Sequence, residues 1–143
     1  MLPLKELDSA SQAGVHVDLI IRGICCLRPG VKGVSENIRV RSIVGRFLEH
    51  MRVYCFGADE EREVFLSSAD WMDRNLFRRV EACFPVRDPV LAKRVYREAM
   101  SNYLSDNTQA WELTSDGSYR KLKSRGKAHT AQGALLMDLT EHS

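Results

Sequence analysis

Long apolar runs are missing from this 143-residue chain. No stretch approaches the ~20 residues that a membrane-spanning helix needs. The opening residues, Met1-Leu2-Pro3-Leu4-Lys5-Glu6, carry no basic leader and no long apolar segment, so no signal peptide is expected. The four cysteines, Cys25, Cys26, Cys55 and Cys83, form no C-x-x-C pair, and the four histidines supply no zinc-finger spacing. The cysteines are expected to be free and buried in a reducing compartment. Gly23, Gly30 and Gly33 do not build G-x-x-x-x-G-K-[ST], which excludes a P-loop. The G-x-S-x-G elbow of serine hydrolases is also missing. No internal repeat or low-complexity segment occurs.

What remains is the make-up of a globular domain. Hydrophobic residues are 44% and charged residues 28% of the chain, enough to bury a core without metal or disulfide staples. Net charge is only +2, but it is unevenly spread. Between Arg22 and Arg52 lie seven basic residues (Arg22, Arg28, Lys32, Arg39, Arg41, Arg46, Arg52) and two acidic ones (Glu36, Glu49). A second basic cluster runs from Arg120 to Lys127 and includes Lys121, Lys123 and Arg125. Two separated cationic stretches favour a polyanionic partner, and the plain alternative is a solvated surface.

Hydrophobic spacing predicts a helix over Leu4 to Ala13 with Gly14 at its C-terminal cap. Val15 to Ile21 reads as a strand ending at Arg22-Gly23. Cys25 to Ser35 reads as a loop, and Ile38 to Val44 as a strand. Arg46 to Glu49 is expected to form one helical turn. Arg52 to Phe56 and Glu63 to Ser67 form a hairpin, and Leu76 to Val86 is read as a further strand. Asp88-Pro89 opens a helix that runs to about Leu104. A short strand over Asn107 to Leu113, a turn at Asp116-Gly117 and a last helix capped by Thr130 complete the chain. The helix–strand order predicts an α/β domain, a mixed sheet flanked by helices, whose functional groups collect at strand ends.

His50 is the first candidate for chemistry. An imidazole exchanges a proton near neutrality, and this one is expected at the start of a strand among arginines and hydroxyls. The plain alternative is an ordinary surface histidine. Arg22, at the end of the first strand, presents a guanidinium suited to a phosphate fork. Ser67, Ser68 and Asp70 offer polar groups after a strand, or simply form a turn. Arg52, Arg74, Asn75, Arg78 and Arg79 extend the same polar set. No metal-ligand constellation is evident.

These segments are similar to a known family. Asp18 to Gly30, containing Ile21-Arg22-Gly23, and Ser35 to His50, ending in Leu48-Glu49-His50, carry the likeness. So do Leu66-Ser67-Ser68-Ala69-Asp70-Trp71-Met72, Arg74-Asn75-Leu76 and Arg78-Arg79-Val80-Glu81. They resemble the C-terminal domain of bacterial polyphosphate kinase of the first type, most closely over Leu4 to Pro85.

The resemblance implies a phospholipase-D-like fold, and reversible transfer of the terminal phosphate of ATP to polyphosphate through a phosphohistidine, with Mg²⁺. It implies that Arg22 binds nucleotide phosphate. It makes His50 the second essential histidine, contacting the nucleotide and acting in proton transfer. The phosphorylated histidine of the family lies in a preceding domain. Residues 1–143 are therefore expected to be one C-terminal catalytic-half domain, a fragment that folds without turning over. The implied partners are ATP, ADP, polyphosphate and the remaining domains, in a homo-oligomer of the full-length protein, with no nucleic acid. The implied location is the cytoplasm or the periphery of the inner membrane.

Two other readings compete. Phospholipase-D-type diesterases use H-x-K-x4-D, but here Arg52 and Gly57 stand where that motif has Lys and Asp. Arginine does not readily surrender a proton. A polyanion-binding module without chemistry would show steep salt dependence and indifference to His50→Ala.

Overall fold

The computed structural model describes residues 2–124 and 126–141. Arg125 of the second basic cluster lies outside them. Two compact units divide the chain, Met1–Phe47 with Ser105–Ser143, and Leu48–Leu104.

The first unit begins with helix α1 (Leu2–Gln12). Gly14, at φ 88°, takes the left-handed conformation that ends the helix without a Cβ clash. Strand β1 (Val17–Ile20) runs parallel to β2 (Ile38–Ile43), with Val17 opposite Ile38 and Leu19 opposite Val40. Strand β6 (Ala110–Leu113) joins β2 antiparallel, and β7 (Tyr119–Lys121) joins β6 antiparallel. The result is a mixed sheet in the order β1-β2-β6-β7. Ile38 and Val40 on β2 are each 1% exposed and form the core with Leu27 and Leu113, against which Leu4 and Leu7 of α1 pack. Burying each such aliphatic side chain contributes about 1.5–3 kcal/mol. Ser11 ties α1 to the sheet: its Oγ accepts the Asn37 N–H at 3.1 Å, and its carbonyl accepts the Asn37 amide at 2.9 Å.

Helix α5 (Ala131–Glu141) closes this unit. Buried Asp106 organises its start. Asp106 Oδ1 accepts backbone N–H bonds from Thr108, Gln109 and Ala110 at 3.0, 2.7 and 3.1 Å, and Oδ2 accepts from Ala131 at 2.8 Å. Thr130 holds the cap position expected of it, with its hydroxyl 2.8 Å from that of Thr108. The expected helical turn over Arg46 to Glu49 does not form; those residues are irregular. Its first part is held from afar, because the Gln132 amide accepts from Phe47 N–H at 3.0 Å and donates to the Phe47 carbonyl at 2.8 Å.

In the second unit β3 (Val53–Phe56), β4 (Glu63–Ser67) and β5 (Cys83–Pro85) make an antiparallel sheet in that order. Val53 lies opposite Leu66, and Ser67 opposite Cys83. The strand expected over Leu76 to Val86 is corrected. Asp73–Arg78 is a helix, α2, and only Cys83–Pro85 is strand. Helix α3 (Pro89–Tyr96) starts as expected, with Asp88 accepting the Leu91 N–H at 2.9 Å. It continues through a π-helical segment, Arg97–Ser101, into the short turn α4 (Asn102–Leu104). All four cysteines are free; Cys25 and Cys55 are half-buried, whereas Cys26 and Cys83 are exposed rather than buried. No helix among the described residues is long and apolar enough to cross a membrane.

Candidate functional site

Within the second unit, His50 lies three residues before β3 and Arg52 abuts that strand. The β3–β4 hairpin brings the polar block after β4 back beside them. Arg52 Nε and NH2 lie 2.9 and 2.7 Å from Asp70 Oδ1. Arg52 NH1 reaches His50 Nδ1 at 2.9 Å and the His50 carbonyl at 3.0 Å, while NH2 is 3.2 Å from Nε2. A guanidinium only donates, so a ring nitrogen bonded to it must be the acceptor. Donors of one guanidinium thus face both ring nitrogens, and Arg52 fixes where the imidazole sits. The Arg52 hydrogen bond holds the Asp70 carboxyl below the usual range; slight burial opposes this, and the charges of Arg52, His50 and Arg74 reinforce it.

Beside this trio, Ser68 Oγ donates to Glu81 Oε2 at 2.5 Å and accepts the Ala82 N–H at 3.0 Å. The Asn75 amide donates to Glu81 Oε1 at 3.1 Å. Asn75 is 3% exposed, and its Oδ1 has no partner. Ser67 Oγ accepts the Ala69 N–H at 3.1 Å, closing the turn its sequence suggested. Tyr54 stacks on Trp71 with ring centroids 5.7 Å apart, and burial pushes its phenol up. Arg74, Arg78 and Arg79 are exposed.

The second unit thus holds His50, Arg52, Ser67, Ser68, Asp70 and Asn75 in local hydrogen bonds, with the charge of Arg74 felt at Asp70. Arg22 belongs to the first unit, exposed and two residues beyond β1. Glu81 is a member that residue-by-residue reading missed, although it stands at the end of the Arg78-Arg79-Val80 segment. The basic stretch is partly neutralised: Arg39 pairs with Asp18 at 3.2 Å and Arg52 with Asp70. In the second cluster Arg120 pairs with Glu112 at 3.1 Å. Gly57 has φ 77°, and a Cβ there would lie 2.8 Å from the Glu61 carbonyl oxygen. An aspartate at this position of the diesterase motif would be strained. Among the described residues, no group of three or more His, Cys, Asp or Glu side chains could hold a metal ion.

The chain superposes on a crystal structure of polyphosphate kinase from Porphyromonas gingivalis with a TM-score of 0.91 and 42% identity, covering 99% of this chain and 22% of that one. The fold is phospholipase-D-like α/β, as the sequence resemblance implied. The model of the polyphosphate kinase C-terminal domain 2 matches residues 3–132, and the chain belongs to that family. It is 59% identical over 138 residues to a polyphosphate kinase of Xylella fastidiosa (strain Temecula1), covering 95% of this chain and 20% of that protein. A polyphosphate kinase of Burkholderia ambifaria (strain MC40-6) is 61% identical over 133 residues, 93% of this chain and 19% of that protein. The chain spans about a fifth of the length of these curated relatives.

Proposed function

We propose that these residues form the C-terminal catalytic-half domain of an ATP:polyphosphate phosphotransferase. Its reaction is reversible transfer of the terminal phosphate of MgATP to polyphosphate, through a phosphohistidine outside residues 1–143. The observation that carries this reading is the His50–Arg52–Asp70 trio. Asp70 anchors Arg52, and Arg52 holds the His50 ring in place to contact the nucleotide and act in proton transfer. Ser67, Ser68, Arg74 and Asn75 serve the same phosphate-bearing side of the unit; Arg22, by the family resemblance, binds nucleotide phosphate. With no metal cage among the described residues, Mg²⁺ enters with the nucleotide phosphates.

The phosphodiesterase alternative is disfavoured by Arg52, which holds its protons, and by the strained geometry at Gly57. A purely electrostatic polyanion module is disfavoured by the pairing of Arg39, Arg52 and Arg120 with acids. The working assembly is a cytoplasmic homo-oligomer of the full-length enzyme.

The test is polyphosphate synthesis by the complete enzyme carrying this domain. His50→Ala and Arg22→Ala should each abolish synthesis while circular dichroism stays native. Wild-type rates in either variant would remove that residue from the site. The 143-residue chain alone should form no polyphosphate, and turnover by it would overturn the placement of the phosphohistidine elsewhere.

A further inference from the structure

His50 lies in a segment without regular structure. Val44 to Leu48 are exposed and His50 is exposed, yet its ring nitrogens lie 2.9 and 3.2 Å from the Arg52 guanidinium. Glu49 is the half-buried residue of this run, and its Oε1 accepts the Tyr103 hydroxyl at 2.7 Å. Tyr103 is 3% exposed, the most buried aromatic side chain of the second unit. It follows the π-helical segment, where Asn102 N–H bonds the Arg97 carbonyl five residues back. A π turn holds one residue more than an α turn, so it rotates the residues after it by ~100° about the axis. Irregular helical turns of this kind persist at functional sites, because they re-aim a side chain at a small cost in stability.

We propose that the π segment aims Tyr103 at Glu49, and that this half-buried hydrogen bond is the anchor that positions His50 against Arg52. Tyr103 and Glu49 are positioning residues, not catalytic ones. Glu49 is joined to His50 by a single peptide unit, so fixing its carboxylate fixes the backbone from which the imidazole projects. The anchor works from one side of His50 and the Arg52–Asp70 pair from the other. Its consequence for catalysis rests on the role proposed for His50; its consequence for the ring does not.

The first measurement is long-range ¹H–¹⁵N correlation of His50 in the 143-residue chain. The wild type should show one set of ring-nitrogen shifts, that of the imidazole held by Arg52. Arg52→Ala, which removes the partner itself, sets the reference for a released ring. Tyr103→Phe, which loses only the hydroxyl, should move toward that reference, as should Glu49→Ala. Glu49→Gln keeps an acceptor oxygen for the phenol and should stay wild-type. Wild-type ring shifts in Tyr103→Phe, or a Glu49→Gln as disturbed as Glu49→Ala, overturn the proposal.

In the complete enzyme, Tyr103→Phe should lower kcat about tenfold, with KM for ATP within about twofold. The Tyr103→Phe/Glu49→Ala double variant should be no worse than the poorer single one, because both act through one contact. Additive losses would refute the shared anchor. Released-ring shifts with an unchanged kcat would uphold the positioning of His50 and instead sink its part in the reaction.

Discussion

Replacing Asp106 by alanine should be among the most damaging single changes in the first unit. The carboxylate is 2% exposed and accepts four backbone N–H groups. Hydrogen bonds to a charged group contribute about 1.5–3 kcal/mol each, but a shared acceptor makes a simple sum too large. The firmer measure is what alanine leaves behind. The Ala110 and Ala131 residues are both 0% exposed, so water does not reach their N–H groups. Removing this acceptor from two buried donors costs about 1–3 kcal/mol each, a loss near 4 kcal/mol. The loss of negative charge at the start of α5 acts in the same direction.

Against a domain stability of about 5–15 kcal/mol, and a urea slope near 2 kcal/mol per molar, the unfolding midpoint should fall by roughly 2 M. Urea melts followed by circular dichroism measure this directly. Asp106→Asn should lose about half as much, because one oxygen still serves three donors while the new amide faces the Ala131 N–H. A loss below about 1 kcal/mol for Asp106→Ala would show that this hub does not hold the unit together.

Gly45→Ala should cost about 1–3 kcal/mol, since its Cβ would lie 2.2 Å from Gln132 Oε1 and 2.8 Å from Gln109 Oε1, and would break the grip on Phe47. Gly23→Ala, whose Cβ meets nothing within 4 Å, should stay within about 0.5 kcal/mol of wild type, and equal melts for the two variants would contradict the packing argument. Asp70 should titrate below the ordinary 3.8 by carboxyl NMR, and Arg52→Ala should return it upward. Because its folded value is depressed, the pairing stabilises above the ordinary carboxylate range and is lost as pH falls through the depressed value; an undisplaced midpoint would break the trio. Asp116 should titrate at about 2, held down by the Thr114 hydroxyl and the Ser118 N–H and hydroxyl, and Thr114→Ala should raise it.

Local pattern determined much of this molecule. Leu4 and Leu7 at helical spacing, Gly14 after them, the β-branched alternation of β2 and the Asp88-Pro89 start of α3 each act within a few residues, where steric and capping forces decide. The motif segments around Arg22, His50 and Ser67 to Asp70 carried the family and the fold class. Partnerships across long separations were decided only in the tertiary structure. Leu76 to Val86 has strand-like residues, yet Asn75 and Ser68 bond Glu81 and Asp73–Arg78 winds as helix. Arg46 to Glu49 is irregular, and Gln132, 85 residues beyond Phe47, holds its start. Asp106, Tyr103 and the pairing of Arg52 with Asp70 bear no local signature. A buried polar group takes whichever partner the fold delivers, and its cost when unpaired makes that choice binding.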